Sequence, residues 1–179
     1  MPSVFLSPST QDFNPYATEG NEEEYMNKIA DEMEPLLIKN NITFGRNNPN
    51  GSVGTSIRQS NAGDYDLHLA LHSNASPESL SGILRGIDAY YYDGSYYGKA
   101  AAEIFANQLK NIYPIPEKVK AVPTRDLVEL SKTNVPAVLL ELGYHDNIED
   151  ETWIKANVQN IAVVLTKGLT EYFGTEYIA

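Results

Sequence analysis

The sequence predicts one α/β domain: a roughly six-stranded, mixed and mostly parallel sheet with helices on both faces. Three observations lead there. Apolar runs of strand length alternate with helical periodicity along the chain, 179 residues suffice for one ordinary core, and no repeat, linker or low-complexity tract divides it. Hence residues 1–179 read as one domain.

Val4-Phe5-Leu6 opens a strand over about 3–7, stopped by Ser7-Pro8-Ser9. A polar loop, Thr10 to Gly20, follows. Met26, Ile29, Ala30, Met33 and Leu37 recur at helical spacing, and Pro35 inside that pattern predicts a kink or early break. Ile42-Thr43-Phe44 is a short strand, 45–56 has the composition of a flexible lid, and a short helix covers 53–62. Asp66–Leu71 and the Tyr-rich Ile87–Tyr92 are strands, and Lys99–Ile112 is a helix ended by Pro114. The stretch 114–132, with three prolines, reads as strand-poor; Val135–Leu140 is a buried strand, and 148–173 holds one or two helices.

Composition narrows the function. With 13 Lys+Arg against 24 Asp+Glu the net charge is -11, which speaks against nucleic acid or an anionic membrane as partner. No apolar run approaches the ~20 residues of a membrane span. The absence of cysteine excludes disulfides, thiolate metal sites and a Cys nucleophile. Val4-Phe5-Leu6 is too short for a signal-peptide core and lacks a basic lead. Export would then use lysis or another route, or the chain is a piece of something longer.

In open α/β sheets, sites form beyond the carboxyl ends of strands. Three such ends carry chemistry: Ser9, Thr10 and Gln11 after the first strand, His72 after the strand at 66–71, and Glu141 after Leu140. His72 suits a metal ligand or general base, or a hydrogen-bonded loop residue. His68 lies four residues earlier on the same face, roughly 13 Å away, so the two cannot share an ion; it reads as structural. A carboxylate ending an apolar strand is desolvated and suited to proton transfer, unless Arg85 or Arg125 pairs with it. Among Glu22, Glu23 and Glu24, which open the first helix, the wheel reading puts Glu23 on the buried stripe, with a slight preference over Glu22. His, Glu and a free Glu together are the layout of a hydrolytic zinc site. The five tyrosines at 90–92 and 96–97 divide between core packing and a rim suited to stacking on sugar.

Taken in order, several motifs resemble the zinc-dependent N-acetylmuramoyl-L-alanine amidases over nearly the whole chain. They are a strand into a Pro-containing turn (Val4–Gln11), Glu23 four residues before Asn27, His72-Ser73-Asn74-Ala75, and Arg85-Gly86-Ile87-Asp88-Ala89-Tyr90-Tyr91. The most specific is Pro136-Ala137-Val138-Leu139-Leu140-Glu141-Leu142-Gly143-Tyr144, followed by Asp146-Asn147. The resemblance implies one zinc ion held by Glu23 and His72, Glu141 as catalytic acid/base, and peptidoglycan as substrate, cut between the muramic lactyl group and L-alanine. It implies an extracellular or cell-wall place of action. One departure stands out: where the family's turn carries its first His ligand, this chain has Ser7-Pro8-Ser9-Thr10-Gln11. Gln11 has the reach of a weak ligand; completion by His145 and a site without stable metal stay open beside it. A peptidoglycan-binding domain that has lost the metal is the alternative function, and a glycosidase using Glu23 and Glu141 is a third.

Overall fold

The computed structural model describes residues 1–179. In chain order the elements are β1 (Ser3–Pro8), α1 (Glu22–Lys39), β2 (Thr43–Arg46), α2 (Val53–Ala62), β3 (Leu67–Asn74) and β4 (Ile87–Tyr92). They continue with α3 (Tyr96–Lys110), β5 (Val119–Thr124), α4 (Val128–Ser131), β6 (Ala137–Tyr144), α5 (Ile148–Ala156) and α6 (Val158–Phe173). The six strands form one sheet in the order β2-β1-β3-β6-β4-β5. All neighbours run parallel except β4 and β6, so the mixed, mostly parallel sheet is as expected.

Strand alternation sorts side chains onto two unequal faces. Leu67, Leu69 and Leu71 of β3 and Val138, Leu140 and Leu142 of β6 join the large core with α1, α3 and α6. The opposite face carries only a small cluster, where Ala70, Ala137 and Leu139 meet Leu130 of α4. That thin face holds the polar residues of interest, because His68, His72 and Glu141 share the parity of Ala70, Ala137 and Leu139.

Three expectations are corrected. Helix α1 runs through Pro35 to Lys39, so the early break, one of the two outcomes expected of that proline, does not occur. Pro35 and Asp31, whose carbonyl loses its partner, are both exposed, so water can satisfy that carbonyl. Met26, Ile29, Met33 and Leu37 are fully buried, and at ~1.5–3 kcal/mol each they outweigh the ~3 kcal/mol cost of an interior proline. The stretch 114–132, read as strand-poor, contains β5 and α4. Strand β5 lies at the sheet edge, where Pro123 removes no ladder bond from the interior. Strands β3 and β6 also extend past their expected ends, so His72 and Glu141 lie within strands, not after them.

The Arg-Gly motif before β4 is an anchor. Asp150, fully buried on α5, accepts from Arg85 Nε (3.1 Å), the Gly86 backbone (3.0 Å), Tyr113 Oη (2.6 Å) and the Tyr144 backbone (3.0 Å). Gly86 has φ +132°, and a Cβ there would lie 2.7 Å from the Lys118 carbonyl oxygen, so the position requires glycine. Arg85 also pairs with Glu149, and Arg125 with Asp93. Neither arginine is left to neutralise Glu141.

Candidate active site

The parallel register of β3 and β6 puts His72 directly opposite Glu141. Strand β1 ends on the other side of β3, and its turn brings Ser9 and Gln11 to the same edge. Together these residues line a groove of about 420 Å³, walled by Phe13, Val53, Leu127, Val128 and Leu139. Gly51, Ser52 and Ser56, from the stretch read as a lid and the helix after it, also face it.

The carboxylate that meets His72 belongs to Glu22, not Glu23. Glu22 Oε1 lies 2.8 Å from His72 Nδ1, and the Glu22 side chain is 2% exposed. Its Oε2 accepts from Asn14 Nδ2 at 2.7 Å. Glu23 points elsewhere, accepting from Asn27 Nδ2 at 3.1 Å. The turn of the wheel accounts for the correction: at about 100° per residue, Glu22 falls roughly 40° from the centre of the Met26–Leu37 stripe and Glu23 roughly 60°.

Gln11 reaches the cluster. Its Nε2 lies 3.5 Å from His72 Nδ1, and its Oε1 accepts from Asn14 at 3.2 Å. Asn14, which the sequence reading passed over, thus holds both Gln11 and Glu22. His145 is engaged away from the cluster: its ring stacks on Tyr16, and Nδ1 meets the Ser73 backbone (2.9 Å) and hydroxyl (3.0 Å). The structure therefore does not bring His145 to complete the site.

A second residue missed in the sequence is Glu129 of α4, whose side chain is 3% exposed. Its Oε1 accepts from His68 Nε2 at 3.0 Å and from the Ser7 hydroxyl; its Oε2 lies 3.3 Å from His72 Nε2. His68, which also meets Ser60 through Nδ1 at 2.9 Å, is structural, as expected. The two histidines share a carboxylate where they cannot share an ion.

Charge is unbalanced here. Burial raises the Glu22 carboxyl pKa, but the hydrogen bond and charge of His72, with bonds from Asn14 and Ser9, bring it below the ordinary value. Burial likewise opposes ionisation of Glu129, and the bonds from His68 and His72 hold it well below the usual range. Burial lowers the His72 pKa, yet bonds to Glu129 and Glu22 and the charge of Glu141 raise it well above 6.5. Glu141 differs. Its Oε2 is buried without a hydrogen-bond partner, and burial, with the charges of Glu22 and Asp88, pushes its pKa up to about 7 against the pull of His72.

These donors fit a cation, weakly. No group of three His, Cys, Asp or Glu side chains is arranged to hold an ion; two ordinary zinc ligands, Glu22 and His72 Nδ1, converge with the neutral amide of Gln11. A half-turn of that amide presents its oxygen at the cost of the bond from Asn14, and the surplus of buried carboxylate over imidazole favours a positive charge. An ion held there would take the place of the Nδ1 proton, so proton and ion would compete.

The model of the N-acetylmuramoyl-L-alanine amidase family matches residues 9–171. A probable cell wall amidase, LytH, of Staphylococcus saprophyticus is 29% identical over 154 residues, covering 85% of this chain and 50% of that protein. LytH of Staphylococcus aureus is 28% identical over the same length. The chain thus spans half the length of these staphylococcal relatives. Among solved structures, an N-acetylmuramoyl-L-alanine amidase from Clostridium difficile 630 superposes with TM-score 0.85 at 17% identity, over 98% of both chains. The catalytic domain of CwlV from Bacillus (Paenibacillus) polymyxa does so with TM-score 0.83 at 19% identity, over 98% of this chain and 100% of that one. These likenesses show a shared fold.

Proposed function

The chain belongs to the N-acetylmuramoyl-L-alanine amidase family. We propose that residues 1–179 form one catalytic domain that hydrolyses the amide between the lactyl group of N-acetylmuramic acid and L-alanine in peptidoglycan. The observation that supports it best is Glu141: a buried carboxylate with an unpartnered oxygen, no arginine beside it, and a pKa near 7, facing the groove next to His72. A carboxylate with only a structural role has partners; one poised near neutrality can take a proton and give it back.

In this reading Glu141 removes the proton of the attacking water. It then delivers that proton to the alanine nitrogen as the C–N bond breaks, since an unprotonated amine leaves badly. Members of the family are typically zinc-dependent. Here Glu22 and His72 Nδ1 would hold zinc, with Gln11 as a weak third donor, and the bound ion would supply Lewis acidity toward the lactyl carbonyl and the water. Leu127, Val128 and Leu139 give the groove an apolar wall on the side of Glu141. The place of work is the cell wall or the extracellular medium.

One observation favours a second reading, a wall-binding domain that does not catalyse: Gln11 and Thr10 stand where the family's first His ligand is expected. Soluble muropeptides incubated with zinc-supplemented protein separate the two. The amidase releases new alanine α-amine and no new reducing sugar, and Glu141→Gln lowers the rate at least ~100-fold while keeping the fold. Binding without release of amine would establish the second reading. New reducing ends would instead point to a glycosidase.

A further inference from the structure

We infer that Glu129 is a positioning residue for the amidase site: its carboxylate holds the His72 ring by Nε2–H, so that Nδ1 faces Glu22 and Gln11. The inference rests on the proposed function for its catalytic consequence and on geometry for everything else. His72 has two ring nitrogens, and each meets a different carboxylate. Nε2 points at Glu129 Oε2, 3.3 Å away, while Nδ1 lies 2.8 Å from Glu22 and 3.5 Å from Gln11. A carboxylate accepts but cannot donate, so both nitrogens carry protons while no ion is present; Glu129 stands apart from the Glu22–Gln11 pair and keeps the Nε2 proton in place if a cation replaces the one on Nδ1.

Glu129 is itself tightly placed. It sits on α4, a helix of only four residues, so its own element gives it little rigidity. Ser7 on β1 and His68 on β3 supply it by donating to Oε1. His68 can donate from Nε2 because its Nδ1 is paired with the Ser60 hydroxyl, on the last turns of α2. Phe5 stacks on His68 at 5.5 Å and holds that ring in plane. The chain Ser60–His68–Glu129–His72 therefore joins α2, β3 and α4 on the thin face and ends at the reacting edge. All of its donors and acceptors are matched when Glu129 is ionised and His68 is the Nε2–H tautomer.

The test is imidazole NMR of the whole protein with and without added zinc, alongside zinc titration of Glu129→Gln and Glu129→Asp. Wild type is expected to show a proton on His72 Nε2, slow to exchange, in both states. Glu129→Gln should lose that protection and bind zinc about 10- to 100-fold more weakly, and Glu129→Asp, which keeps the charge, should recover part of both. Unchanged exchange and zinc affinity within about twofold in a folded Glu129→Gln protein would overturn the inference. Should that variant fail to fold, the wild-type spectrum decides alone: an unprotonated Nε2 overturns it. If wild type neither binds zinc nor hydrolyses muropeptide, the proposed function fails, and the zinc-free spectrum still answers for Glu129.

Discussion

At the scale of single residues, burial and hydrogen bonding distinguish side chains that the sequence leaves nearly equivalent. Glu22 and Glu23 are neighbours in a run of three glutamates, yet only Glu22 is buried against His72. Glu22→Gln should cut zinc affinity by at least ~10-fold, because it replaces a charged ligand by an amide, while Glu23→Gln leaves affinity within about twofold. Isothermal titration of both variants checks this, and the reverse order would return the ligand role to Glu23. His72 and Glu141 were legible because each ends an apolar run at the active edge of a parallel sheet. Glu129 was not. It lies in a short polar-apolar mixture between prolines and becomes significant only when α4 folds beneath the two histidines.

Among the elements, those with strong local signals matched the sequence reading. Helix α2, capped by the Ser52 side chain, and strand β4 have the bounds that periodicity predicts. Helix α1 and strand β5 did not follow their local signals, and both departures involve proline. In α1 the packing of four buried apolar side chains overrides a weak point on the solvent side. In β5 the edge position makes Pro123 harmless, and edge position is a property of strand order that no local pattern reveals. The same limit applies to the thin face: alternation shows which residues share a face, but not that α2 and α4 leave a groove over theirs.

Across the whole molecule, the buried charges tie stability to pH. Glu141 and His72 have raised pKa values in the fold, so the folded state holds their protons longer than the unfolded chain does. Their contribution is complete below the ordinary values and lost as pH rises: for Glu141 between 4.5 and about 7, and for His72 from 6.5 upward. Glu22 and Glu129 act in the opposite direction, losing their contribution as pH falls below the ordinary 4.5. Chelated protein should therefore be most stable in mildly acidic solution and lose melting temperature toward alkaline pH, with a shallower loss in Glu141→Gln. A melting temperature that climbs steadily from acid to alkaline pH would contradict the charge assignment. The proposed reaction turns on which bond is cut, and hydrolysis in heavy-oxygen water followed by mass spectrometry distinguishes the candidates. The label should enter the lactyl carboxylate of the muramic product, while the released peptide begins with an unlabelled alanine amine. Label at the sugar's anomeric carbon, or intact muropeptide after prolonged incubation with zinc, would contradict the proposed reaction.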